Sequence, residues 1–92
     1  MKKIILDDMN YELETNIANC FELEEIKDLF TDYFHDYDYI VGDYAYSKLR
    51  LKGFYNSDNK SVKEINNIDN LDTYIKNQCA YNCKYFVLKK ID

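Results

Sequence analysis

A small α+β fold, an antiparallel sheet with two helices on one face and the element order strand, helix, strand, strand, helix, strand, is predicted by three observations. Two segments carry apolar residues at spacings of three and four, the stripe of an amphipathic helix. Four others alternate at period two or are apolar throughout, as strands do. The 92 residues hold two glycines and no proline against 47% hydrophobic and 16% aromatic content, which excludes a disordered tail or a collagen-like repeat and describes one domain, residues 1–92. The order is that of a split βαβ, ferredoxin-like sandwich. A chain this short buries only about 60% of the surface it exposes when unfolded, which leaves little room for a deep enclosed active site.

Met1 to Leu6 alternates weakly, as a short strand or a frayed end. Tyr11, Leu13, Thr15 and Ile17 share one face of the first full strand. After a break at Asn19, Phe21, Ile26, Leu29, Phe30, Tyr33, Phe34 and Tyr37 form one stripe of a helix over 21–37, with acids in its first turn at the positive end of the dipole. Asp38 to Tyr46 reads as a strand running into a turn, with Gly42-Asp43 as the hairpin signal or the turn slightly later, at 45–48. Ser47 to Tyr55 alternates again: Leu49, Leu51, Gly53 and Tyr55 face one way, and Lys48, Arg50, Lys52 and Phe54 the other. Asn56 to Asn70 is the clearest loop. Leu71, Tyr74, Ile75 and Cys79 make a second helical stripe, capped by Asp69 or Asn70. Cys83 to Ile91 is a strand apolar on both faces at its centre, the mark of an interior strand.

The net charge of −5 is unevenly divided. Residues 1–46 carry twelve acids against three lysines, a net −9; residues 47–92 carry nine bases against five acids, a net +4. Attraction between the halves across the fold is the simplest reading, and an anionic partner for the second half is the other. No signal-peptide core and no run of the roughly 20 apolar residues that span a bilayer is present. With an odd number of cysteines, Cys20, Cys79 and Cys83, a reducing cytoplasm is the expected setting, with no membrane partner.

Chemistry-bearing motifs are sparse. The one histidine, His35, has Asp32 or Asp36 to orient it, but it reads more simply as a surface residue at a helix end, and no phosphate loop, nucleophile elbow or metalloprotease motif occurs. No catalytic residue, cofactor or metal is assigned, and an enzyme is the least favoured class. Cys79 and Cys83 could form a redox pair or half a zinc site, against the plainer reading of two packed thiols at a helix–strand corner. The strongest feature is the strand Lys48-Leu49-Arg50-Leu51-Lys52-Gly53-Phe54: alternation places three cations and a ring on one face, the combination that single-stranded RNA uses through phosphate pairing and base stacking. Lys52-Gly53-Phe54 matches only the start of the RNA-recognition sheet motif, nothing points to DNA, and outward cations paired with the acidic half would look the same.

Val41-Gly42-Asp43-Tyr44-Ala45-Tyr46, then Leu49-Arg50-Leu51-Lys52-Gly53-Phe54, then Cys79, Cys83 and Tyr85-Phe86-Val87-Leu88 together resemble the YutD-like family of low-GC Gram-positive bacteria, from about Tyr37 onward. Tyr44 stands where that family usually has Trp. The resemblance implies a small cytoplasmic α+β domain and no particular activity, and its motif marks Gly42, Asp43, Gly53, Cys79 and Cys83 as structural. Asp43 would cap the turn, and the two glycines would permit close backbone approach. The functional expectation is a non-enzymatic binding or regulatory module meeting a protein or RNA partner through Lys48, Arg50, Lys52, Phe54, Tyr44 and Tyr46; the alternative is a thiol-based redox or metal-responsive protein using Cys79 and Cys83. The positions of Arg50 and Phe54 decide between a binding face and an architectural motif: exposed together they serve a partner, whereas a core Phe54 and an acid-paired Arg50 hold the fold.

Overall fold

The computed structural model describes residues 2–45, 48–78 and 84–91, and Ala45 and Gln78 without their side chains. Five strands, β1 (Lys2–Leu6), β2 (Met9–Asn16), β3 (Tyr39–Ala45), β4 (Lys48–Phe54) and β5 (Tyr85–Lys90), form one sheet in the order β1-β2-β5-β3-β4. Every neighbouring pair is antiparallel. Two helices, α1 (Leu23–Leu29) and α2 (Leu71–Gln78), complete the α+β fold. The N-terminal segment is a true strand, joined to β2 by Asp7-Asp8, both left-handed (φ 50° and 65°). A two-residue hairpin loop of type I′ needs positive φ at both positions, and Asp tolerates that region through local hydrogen bonding better than most residues.

The helix expected over 21–37 ends at Leu29. Phe30 is already extended (φ −78°, ψ 122°), and its N–H still donates to Ile26 O at 2.8 Å. Thr31, Asp32, Tyr33, Phe34 and His35 all come from the weaker half of the helix-propensity scale, so nothing intrinsic carries the helix onward. The chain instead makes a single 3-10 turn, Asp32–Phe34. The apolar spacing still serves, because Phe30 stacks on Phe34 (5.8 Å) and meets Tyr11 edge-on (5.9 Å). At α2 the cap is also displaced: the Asn67 side chain accepts from the Asp69 N–H at 2.9 Å, starting a 3-10 turn, Ile68–Asn70, that leads into the helix.

The two helices do not share a face of the sheet. On one side Ile26 of α1 and Phe30 pack with Tyr11, Ile40, Phe86 and Leu88. On the other, Leu71, Tyr74 and Ile75 of α2 pack on Val41, Phe54 and Val87. Adjacent residues of β3 (Ile40, Val41) and β5 (Phe86, Val87) thus enter opposite layers. The cause is topological. The crossover from β2 to β3 and that from β4 to β5 each skip one strand, run opposite ways along the sheet and start from antiparallel strands, so crossovers of equal hand would lie on the same face. Lying on opposite faces, they have opposite hands, and one departs from the right-handed rule behind the one-face expectation.

Candidate binding surface along the outer strand

Register decides the role of the basic strand. Asp43 of β3 stands directly across from Arg50 of β4, and the Arg50 Nε and a terminal guanidinium nitrogen donate to the two Asp43 oxygens at 3.1 and 2.9 Å. The Asp43 side chain is 1% exposed and that of Arg50 42%. This two-pronged bond raises the already high Arg50 pKa. Asp43 therefore caps no turn; it is a buried anchor inside the strand. The Tyr74 phenol joins the pair, its pKa pushed up by burial first and by the Asp43 charge and hydrogen bond after that.

Phe54 is fully buried and meets Tyr74 edge-on at 5.4 Å. It cannot stack on a base. Arg50 is thus bound to an acid and Phe54 lies in the core, the arrangement tied above to residues that hold the fold. Tyr44 is separated from them by the sheet itself, donating from its hydroxyl to Cys20 O at 3.2 Å on the side of α1. Tyr46, Cys79 and Cys83 lie outside the described residues. Lys48 is exposed where β4 begins.

Gly42 and Gly53 do permit close approach, though to rings rather than to a turn. A Cβ on Gly42 would sit 2.1 Å from the Phe86 ring, and one on Gly53 would sit 2.2 Å from that of Tyr37. Tyr37 lies over the strand, its ring tilted 31° against that of Tyr55 at 4.7 Å and its hydroxyl bonded to that of Tyr33 (3.0 Å). That bond, then burial, pushes its pKa up to about 12. His35 is oriented by neither Asp32 nor Asp36; its Nε2 lies 3.1 Å from Asp7 across the β1–β2 turn. Burial raises the Cys20 thiol pKa. Among the described residues no group of three or more His, Cys, Asp or Glu gathers that could hold a metal.

What remains accessible is the rim of β4. Lys52 lies with its ammonium 5.3 Å from the Phe54 ring and 5.7 Å from that of Tyr74, and it borders two grooves. One, of 530 Å³, runs along α2 past Thr73, Tyr74 and Asn77. The other, of 210 Å³, runs on the α1 side past Tyr33, Phe34, Tyr37 and Gly53. Ile65 lines both. Ile65 is 73% exposed and Tyr33 65%. The apolar spacing of 21–37 assigns Tyr33 to a core stripe and gives no signal for Ile65, whose loop neighbour Ile68 packs against the core while Ile65 stays exposed.

The family model described as "YutD-like: Putative antitoxin YutD-like" matches residues 5–89. A protein of Bacillus subtilis (strain 168) described as "Putative antitoxin YutD" is 41% identical over 88 residues, covering 96% of this chain and 97% of that protein. The solution NMR structure of protein yutD from B. subtilis superposes with a TM-score of 0.82 at 40% identity, over 99% of this chain and 83% of that one.

Proposed function

The chain belongs to the YutD-like family, and from that premise we propose that it is a non-enzymatic binding module of the cytoplasm that acts, as the description of its B. subtilis relative has it, as an antitoxin: by occupying a protein partner rather than by turnover. The observation that carries this reading is the exposure of two large apolar side chains, Ile65 and Tyr33, which line one groove together with Lys52. Large apolar side chains grouped in the open are characteristic of protein interfaces. The burial of Phe54 removes the ring that the RNA reading placed beside the strand's cations.

The test is photo-crosslinking in the source bacterium from a benzoylphenylalanine placed at position 65, with position 5 as control; Ile5 is comparably exposed (60%) on the opposite outer strand. The expected result is one discrete protein adduct from position 65, lost with Lys52→Glu and absent from position 5. Equal adducts from both positions, or a nuclease-sensitive adduct, would overturn the protein-binding reading.

A further inference from the structure

The manner of binding can be read from the backbone of β4. This strand ends the sheet, and along Lys48–Phe54 no strand pairs with its outer edge among the described residues. The orientation of its peptide groups follows from two hydrogen bonds. Phe54 O accepts from the Asp38 N–H on the β3 side (3.0 Å), whereas Tyr55, one residue on, bonds outward: its N–H donates to Asn66 O (2.7 Å), and its carbonyl accepts from the Ile68 N–H (2.9 Å). Peptide groups alternate along a strand and the β3–β4 register is unbroken, so Leu49, Leu51 and Gly53 also turn their N–H and C=O groups outward. Just past β4 the chain pairs with this side itself: arriving from the 3-10 turn Glu64–Asn66, it makes one parallel bridge, Tyr55 with Asn67, and leaves through the turn Ile68–Asn70.

The two grooves lie beside this edge on opposite faces of the sheet. Side chains of an added strand would fall alternately toward the aromatic groove and toward Lys52 and α2. A second copy of β4 is disfavoured as the occupant, because antiparallel self-pairing would set the Lys48, Arg50 and Lys52 rows of the two copies against each other.

We propose that the outer edge of β4 accepts an extended strand of the protein partner, with acidic side chains alternating toward Lys48 and Lys52 and apolar ones toward Tyr33 and Ile65. This rests on the protein-binding reading and names its mode. The probe is a blocked octapeptide alternating Glu and Val, added at millimolar concentration to the 15N-labelled protein. Amide exchange at Leu49 and Leu51 should slow at least tenfold, with Arg50 unchanged because its N–H already faces β3. A Lys/Val peptide should have no effect, and a Lys48→Glu, Lys52→Glu variant, checked for a native amide spectrum, should reverse the preference.

N-methylation distinguishes strand addition from groove docking, since it blocks backbone pairing and keeps the side chains. Methylating either all the valines (an antiparallel added strand) or all the glutamates (a parallel one) should abolish binding, and methylating the other set should be tolerated. Loss with both sets or with neither, binding without protection of Leu49 and Leu51, or no binding at all overturns the proposal. If crosslinking from position 65 still yields its partner in those cases, the strand mode falls and the protein-binding reading stands; if that adduct is missing, the reading itself falls.

Discussion

Asp43 and Arg50 show how much one cross-strand pair can hold. The carboxylate is buried and takes two charge-assisted bonds, so removing either partner strands a polar group at the sheet surface. Asp43→Ala should destabilise by about 2–3 kcal/mol in urea unfolding. Arg50→Lys should cost part of that despite keeping the charge, because an ammonium cannot match both oxygens. The two residues were legible as strand positions, and their pairing was not, because register is a property of two segments and alternation describes one.

Tyrosines give a second residue-scale prediction. The Tyr11 phenol is buried without a hydrogen-bond partner among the described residues. Burial, and then the Asp7 charge, push its pKa up to about 12, as the Tyr33 bond does for Tyr37. A phenol whose folded pKa exceeds the unfolded value of 10.0 contributes stability that is whole below pH 10 and is lost as the pH rises through about 12. Absorbance at 295 nm should therefore lag for these two rings and rise together with loss of the fold. Independent, early titration of all ten tyrosines would contradict it.

Among the elements, β2 and β4 were legible from period-two alternation and β5 from its apolar centre, and both apolar helical stripes marked segments that do pack on the sheet. The end of α1 was not legible, because one apolar spacing suits both a continuous helix and a helix followed by a 3-10 turn; only the weak propensity of Thr31 to His35 separates the two. The glycines behave as strand residues under rings. Gly42→Ala collides with Phe86, which is fully buried and cannot yield, whereas Gly53→Ala meets Tyr37, which is half-buried and can swing outward. Thermal unfolding should rank Gly42→Ala as the costlier, with both in the range of about 1–3 kcal/mol, and Gly53→Ala should also perturb the Tyr33 and Ile65 resonances.

For the whole molecule, the double-sided apolar centre of β5 already carried information that the one-face expectation left unused. A strand with Phe86 and Leu88 on one side and Val87 on the other needs a cover on each. Charge was partly legible in the same way: Lys3, Glu12 and Lys89 stand in one cross-strand row, which joins the acidic and basic halves through β2 and β5. Layering also orders local stability. Hydrogen exchange should be slowest in β2, β5 and β3, which are paired on both edges, and fastest in β1 and along the outer amides of β4. Uniform protection across the sheet would contradict this.

The strand between β2 and β3 is also the one a ribosome delivers after all the others. Until β5 arrives, the nascent chain consists of two separate hairpins, each with an apolar surface and an unpaired inner edge, and neither layer of the core can close. The five-stranded sheet can therefore close only once β5 is in place. A chain broken off before β5 would leave the inner edges of β2 and β3 without their strand partner.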